Sequence, residues 1–216
     1  MSDELPPGGR SNAHLFIPLA AHARSRVSAH ADLSILGSVD RNNALLDTPS
    51  LLLQAVVITS DKTAEGILIQ SAAVPWFEIV GIIQRSPESI YSIHWRKWEE
   101  IIAGAYKQAG FDVVLTPRSN DKGRDVIATR PGIGSVCFFD PVKANHPGNL
   151  VTFEEVSAML GVLSTRPNVS KGIITTTSSF APGVLTDPEL ARFMPYRLEL
   201  KARDTLLPWL QSLAGV

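Results

Sequence analysis

The stretch GFDVVLTPRSNDKGRDVIATRPGIGSVCFFDPVKA, residues 110–144, decides how the chain folds. Phe111, Val113 and Leu115 alternate with Asp112 and Val114, the period-two pattern of a strand. Thr116 to Gly123 is polar and basic and reads as a loop. Asp125 to Thr129 predicts a second strand, and Pro131-Gly132-Ile133-Gly134 turns the chain into a third, from Ser135 to about Lys143. Strands joined this closely pair antiparallel. The turn lies midway between Asp125 and Lys143, so the pairing brings a carboxylate and an ammonium to one end of the hairpin.

Outward from this hairpin the periodicity changes. Trp95, Trp98, Ile102, Ala105 and Ala109 recur at helical spacing on the N-terminal side, and Gly110 supplies the stop. On the C-terminal side a helix is expected from Thr152, where Thr152 and Glu155 have capping-box spacing and Phe153, Val156, Leu160 and Leu163 form an apolar stripe. A fourth strand follows at Gly172 to Thr177. A last strand at Arg197 to Leu200 and a helix from Asp204 complete an α/β sandwich. A crossover of this kind is right-handed and lays its helix on the sheet.

The first 90 residues read differently. Residues 1–12, rich in Pro, Gly and polar groups, are expected to be loose. Residues 13–90 are expected to form a small accessory module, set apart from a domain at 91–216. Within it, Leu51 to Thr59 and Gly66 to Gln70 predict a hairpin, and Pro75 opens a helix bearing Trp76, Phe77, Val80 and Ile83.

Composition bounds the function. With 44% hydrophobic and 19% charged residues and net charge −1, the 216-residue chain reads as globular rather than disordered. No apolar run reaches membrane-spanning length, and Asp3 and Glu4 stand where a signal peptide carries positive charge. Cys137 is the single cysteine, which leaves no disulfide framework and fits a cytoplasmic setting. Residues 1–89 carry 6 Lys/Arg against 9 Asp/Glu, and residues 90–216 carry 14 against 12, so the basic excess lies in the C-terminal part.

Phosphodiester hydrolysis needs activated water and neutralisation of phosphate charge, which a carboxylate-held divalent metal and a nearby lysine can supply. Asp125 and Lys143 offer that pair. The segments WEEII, GFDVVLTPRSNDKGRDVIAT, PVKA and KGIITTTSSFAP resemble the Mrr-type restriction endonucleases of the PD-(D/E)XK superfamily, over about Trp95 to Trp209. The resemblance implies an αβββαβ core with a mixed central sheet and a DNA endonuclease dependent on Mg2+, with Mn2+ as a substitute. It also implies that Asp125 binds the metal, Glu99 supports the metal or its waters, and Lys143 positions the attacking water. Two active sites acting together would make a homodimer a fitting assembly, and restriction or defence against foreign DNA a fitting role.

One position departs from the family pattern. Pro141 stands where Glu or Gln is expected two residues before the lysine, and it has neither a ligand atom nor an N–H. Asp140 would face away from Lys143 in a regular strand, whereas a bulge at Pro141 would turn it toward the metal as a replacement ligand. Arg118, Lys122 and Arg124 precede Asp125 and are expected to contact DNA phosphates. Thr175 to Ser178 fit a structural role, and the five histidines show no metal-ligand spacing. Other readings stay open, namely RNA as substrate, a scaffold that binds DNA or protein without cutting, and a regulatory subunit.

Overall fold

The computed structural model describes residues 48–117, 124–130, 132 and 136–215. The expectations for residues 1–12 and 13–47, for most of the turn at 131–134, and for Arg118, Lys122 and Gly123 lie outside the described residues. In chain order the elements are α1 (Thr48–Leu53), the hairpin β1 (Val57–Lys62) and β2 (Ile67–Ala72), α2 (Val74–Arg85), a 3-10 turn (Pro87–Ser92), α3 (Trp95–Gln108), β3 (Asp112–Leu115), β4 (Val126–Arg130), β5 (Val136–Asp140), β6 (Val142–Lys143), α4 (Phe153–Ser164), β7 (Lys171–Thr176), a 3-10 turn (Val184–Thr186), α5 (Pro188–Ala191), β8 (Leu198–Lys201) and α6 (Arg203–Ala214). From α3 onward this contains the expected order of helix, three strands, helix and strand, the third strand being split into β5 and β6.

All eight strands share one mixed sheet. From β1 to β5 each strand pairs antiparallel with the next. The crossover through α4 makes β7 parallel to both β5 and β6, and β8 adds to β7 in parallel. Alternation along the strands sends Val126 and Ala128 into a core with α2, α3 and α6, and Ile127 and Phe139 into a second core with α4 and α5. The result is a three-layer α/β/α sandwich. Among the described residues no helix is long and apolar enough to cross a membrane.

Local signals explain the helix ends. Gly110 adopts a left-handed backbone with φ 84° just past α3, a conformation that costs a glycine little. Thr152 and Glu155 form the reciprocal capping box at the start of α4. Trp95 and Phe153, expected on the apolar stripes, are instead 45% and 41% exposed, because each lies in the first turn of its helix.

Two expectations are corrected. Leu51 to Thr59 is not one strand, since Thr48–Leu53 is helical and the strand begins only at Val57. A short apolar run carries no periodicity that separates helix from strand. Nor does the fold divide at residue 90, because Ile67, Leu68 and Ile69 of β2 pair with Leu115, Val114 and Val113 of β3. The hairpin extends the sheet itself, and the described residues all lie in the compact unit Arg41–Val216.

α3 shows how tightly the two parts are joined. The Trp76 indole of α2 donates to the Ile101 carbonyl at 2.8 Å, and the Trp98 indole donates to Ile90 at 3.2 Å. Gly104 permits the first contact, since a Cβ there would lie 2.7 Å from Trp76 Cδ1. Both tryptophans are fully buried.

The strand expected to run unbroken to Lys143 is interrupted at Pro141 without any change of register. Phe138 and Phe139 pair with Lys171 and Gly172, and Val142 and Lys143 pair with Thr175 and Thr176, with the same offset on both sides. No residue is inserted, so the bulge expected to redirect Asp140 does not form. Asp140 is fully buried on the α3 side. Its Oδ2 accepts from the Tyr106 hydroxyl at 2.8 Å and the Thr175 hydroxyl at 2.7 Å, while Oδ1 accepts from the Thr175 N–H at 3.0 Å. Burial pushes the Asp140 carboxyl from 3.8 up to about 7, against the opposing pull of the Thr175 and Tyr106 hydrogen bonds and the Lys201 charge.

Gly104→Val is expected to destabilise the fold by about 1–3 kcal/mol through overpacking against Trp76, read from urea denaturation midpoints. Between pH 4 and pH 7 the native state retains an Asp140 proton that the unfolded chain has released. Stability therefore falls as pH rises through that window and levels off above it, by an amount on the order of a few kcal/mol. In Asp140→Asn the amide can accept from Thr175 N–H and donate to both hydroxyls, so this slope should flatten in denaturation curves taken across the window.

Candidate functional site

Asp125 sits at the head of β4, where the ladder to β5 ends. Its N–H donates to the Asp140 carbonyl at 3.3 Å, and its own carbonyl accepts from the Thr116 N–H at 3.0 Å. The carboxylate then takes over from the backbone, with Oδ2 accepting the Val142 N–H at 2.7 Å. This arrangement explains how a proline is tolerated beside it. Pro141 stands where the β4 ladder has finished and no N–H is required.

The β4–β5 register ends at Val126↔Asp140, and beyond it the Asp125 N–H turns to the same Asp140 carbonyl. Pro141 and Lys143 lie on the α4 side of the sheet with Met159, the side opposite the Asp140 carboxylate. Lys143 is half-buried, and its ammonium lies 3.3 Å from Glu155 Oε1 in the first turn of α4. Pro141, Lys143 and Glu155, with Met159 and Ile174, line a cavity of about 330 Å³.

The other expected site residues fall in different places. Glu99 is 5% exposed and forms an ion pair with Arg96, whose guanidinium also donates to the Thr116 carbonyl at 3.3 Å. Glu99 therefore belongs to the support behind the Asp125 end of the sheet. Asp140, expected as a replacement ligand, is committed to Tyr106 and Thr175 on the opposite face. Arg124, expected to reach DNA phosphate, is buried; it pairs with Glu65 at 2.9 Å and lies over the Phe139 ring at 5.0 Å. A basic residue flanking Asp125 is thus used for packing.

The threonine-rich strand end is structural. Thr175 binds Asp140, Thr176 Oγ1 accepts from Ser178 N–H at 3.1 Å, and the Thr177 hydroxyl donates to the Asn145 carbonyl at 2.8 Å. Glu155 is the residue that sequence reasoning did not place here. Its capping-box spacing identified it, but nothing in the linear pattern indicates that its second oxygen reaches Lys143.

Magnesium takes hard oxygen ligands, keeps several waters and completes its shell with substrate phosphate, so one or two protein carboxylates suffice. Among the described residues no group of three or more His, Cys, Asp and Glu is placed as a closed metal cage. Asp125, held by the Val142 N–H where the β4 ladder ends, suits a divalent cation of the open kind. Of the three carboxylates expected at the metal, it is the one at the head of β4.

Several known proteins are similar to this chain. An uncharacterized protein, y4cE, of Sinorhizobium fredii is 42% identical over 48 residues, which cover 22% of this chain and 12% of that protein. Among solved structures, the MspJI restriction endonuclease in complex with a 27-mer oligonucleotide overlaps at a TM-score of 0.39 and 17% identity, over 68% of this chain and 36% of that one. The DNA modification-dependent restriction endonuclease AspBHI overlaps at 0.40 and 20% identity, over 76% of this chain and 40% of that one. FokI overlaps at 0.41 and 12% identity, over 74% and 35%. The chain spans less than half the length of each of these proteins. Residues 90–210, more than half of the chain, match the Mrr_cat family, described as restriction endonuclease, and through them this chain belongs to that family.

Proposed function

We propose that the chain is a DNA endonuclease that hydrolyses phosphodiester bonds with a divalent cation, magnesium or manganese in its place, in the restriction of foreign DNA. The observation that carries this reading is the Asp125–Val142 hydrogen bond, which fixes a carboxylate beside the strand bearing Lys143 in a chain of the restriction endonuclease family. Asp125 would hold the cation. When bound, the cation supplies neutralisation of the scissile phosphate and activation of water.

The chain's own residues do the rest. Lys143 lines the cavity with its ammonium and meets the charge that develops on the phosphate. Glu99, Arg96 and Thr116 brace the Asp125 segment, and Arg118 and Lys122 supply phosphate contacts just upstream. Water adds to phosphorus as the P–O bond breaks, and the departing oxygen takes up a proton. A homodimer with two such sites would cut both strands.

A second reading is favoured by Pro141, which removes a side-chain ligand, and by the burial of Asp140. In it the chain keeps the scaffold and binds DNA without cutting.

Plasmid cleavage with Mg2+ or Mn2+ tests the first reading. Lys143→Ala is expected to slow cutting by about 10²–10³, and Asp125→Ala to abolish it. Undiminished cutting by Asp125→Ala would overturn the assigned role. A native chain that shifts DNA in a gel but leaves the plasmid intact, and cuts after Pro141→Gln, would establish the second.

A further inference from the structure

Ile67, Leu115, Val126 and Asp140 lie in one row across four strands of the sheet. Just beyond that row, β3 gives way to Thr116, β4 is preceded by Arg124 and Asp125, and β2 is preceded by the turn that joins it to β1. The tip of the hairpin therefore reaches the same end of the sheet as Asp125, although it lies outside residues 90–210, the segment that carries the family match.

That tip is closely held. Thr63 Oγ1 accepts the N–H groups of Glu65 at 3.2 Å and Gly66 at 3.1 Å. Gly66 sits so near β3 that a Cβ on it would lie 2.2 Å from the Leu115 carbonyl oxygen. Glu65 leaves this turn toward Arg124, and its carboxylate meets the guanidinium at 2.9 Å, the Glu65 side chain 53% exposed and that of Arg124 only 7%. The same guanidinium lies over the Phe139 ring, and the Thr116 hydroxyl donates to the Arg124 carbonyl at 2.5 Å. A guanidinium buried this deeply needs a carboxylate, because removing one partner of such a pair leaves an uncompensated charge. Glu65 supplies that carboxylate from outside the matched segment. Anchoring Arg124 in turn anchors the next residue, Asp125, whose Oδ2 accepts the Val142 N–H at 2.7 Å.

We propose that Glu65 is a positioning residue of the cutting site, acting through Arg124 to hold Asp125 in place; this rests on the reading of Asp125 and Lys143 as the cutting site. In this role Glu65 touches neither DNA nor cation. Without it the Arg124 guanidinium turns to water, the head of β4 loosens, and the Asp125 carboxylate is no longer fixed to the Val142 N–H. Misplacing a group that acts on the reacting atoms lowers the rate of the chemical step more than it lowers binding.

The test follows the Val142 amide in the full chain. Its hydrogen exchange, measured by NMR, reports the bond to Asp125 whether or not DNA is cut. Glu65→Ala is expected to speed that exchange roughly tenfold or more, and to lower kcat for plasmid cleavage by a similar factor at unchanged KM. The Ala128 amide, in the middle of β4, should exchange as in the native chain. Glu65→Gln keeps an oxygen that accepts from the guanidinium and should recover most of both losses. Asp61→Ala removes a carboxylate from the same hairpin and should alter neither. Native exchange at Val142 in Glu65→Ala, while Asp125→Ala accelerates it, overturns the role of Glu65 alone. Faster exchange at Val142 and Ala128 together marks a general loosening, and equal effects of Asp61→Ala mark a general charge effect; either overturns it as well. A native chain that leaves DNA intact, while Val142 exchange still follows Glu65, supports the link to Asp125 and overturns the reading of the site as a cutting one.

Discussion

A carboxylate sealed from water joins three elements that are far apart in the chain. Asp140 in β5 accepts hydrogen bonds from Tyr106 in α3 and from the backbone and hydroxyl of Thr175 in β7. Burying such a group without these donors would be costly, so the contacts fix the face to which Asp140 points. Everything downstream follows from alternation. With Asp140 turned toward α3, Val142 offers its N–H to the Asp125 carboxylate, and Lys143 reaches the first turn of α4. The same cluster holds the crossover strand in register past the break in the ladder.

The sequence carried the parts of the fold that rest on local period and punctuation. α3, β3, β4 and α4 were legible because their apolar spacing, the Gly110 stop and the Thr152–Glu155 capping box are local. The helix at Leu51–Leu53 was not legible, since three consecutive leucines fit either a strand or a helix until α2 is known to lie against them. The hairpin looked separable because strand pairing between β2 and β3 joins residues some 46 positions apart, which no local signal marks.

The site was legible in proportion to how much of it lies on one hairpin. Asp125 meets Val142, the neighbour of Lys143, at the end of an antiparallel pair that the turn residues signal. Arg124 was misassigned because charge in a sequence does not reveal the Glu65 and Phe139 partners that take it inward. The misreading of Asp140 has a definite cause. Pro141 suggests a bulge, yet the Asp125 side chain replaces the ladder at that point, and the strand breaks there without shifting its register to β7.

The contact between Gly104 and Trp76 crosses the edge of the family match. The segment shared with the family runs over residues 90–210, but the helix at its start is covered by a tryptophan from outside it, and β3 is paired on one edge by a strand from outside it. Cut at residue 90, the piece would bare the apolar surface that meets Val56, Trp76, Ile79 and Ile83. The segment that carries the family match is therefore smaller than the unit that folds, and the hairpin and α2 supply cover that the matched segment lacks.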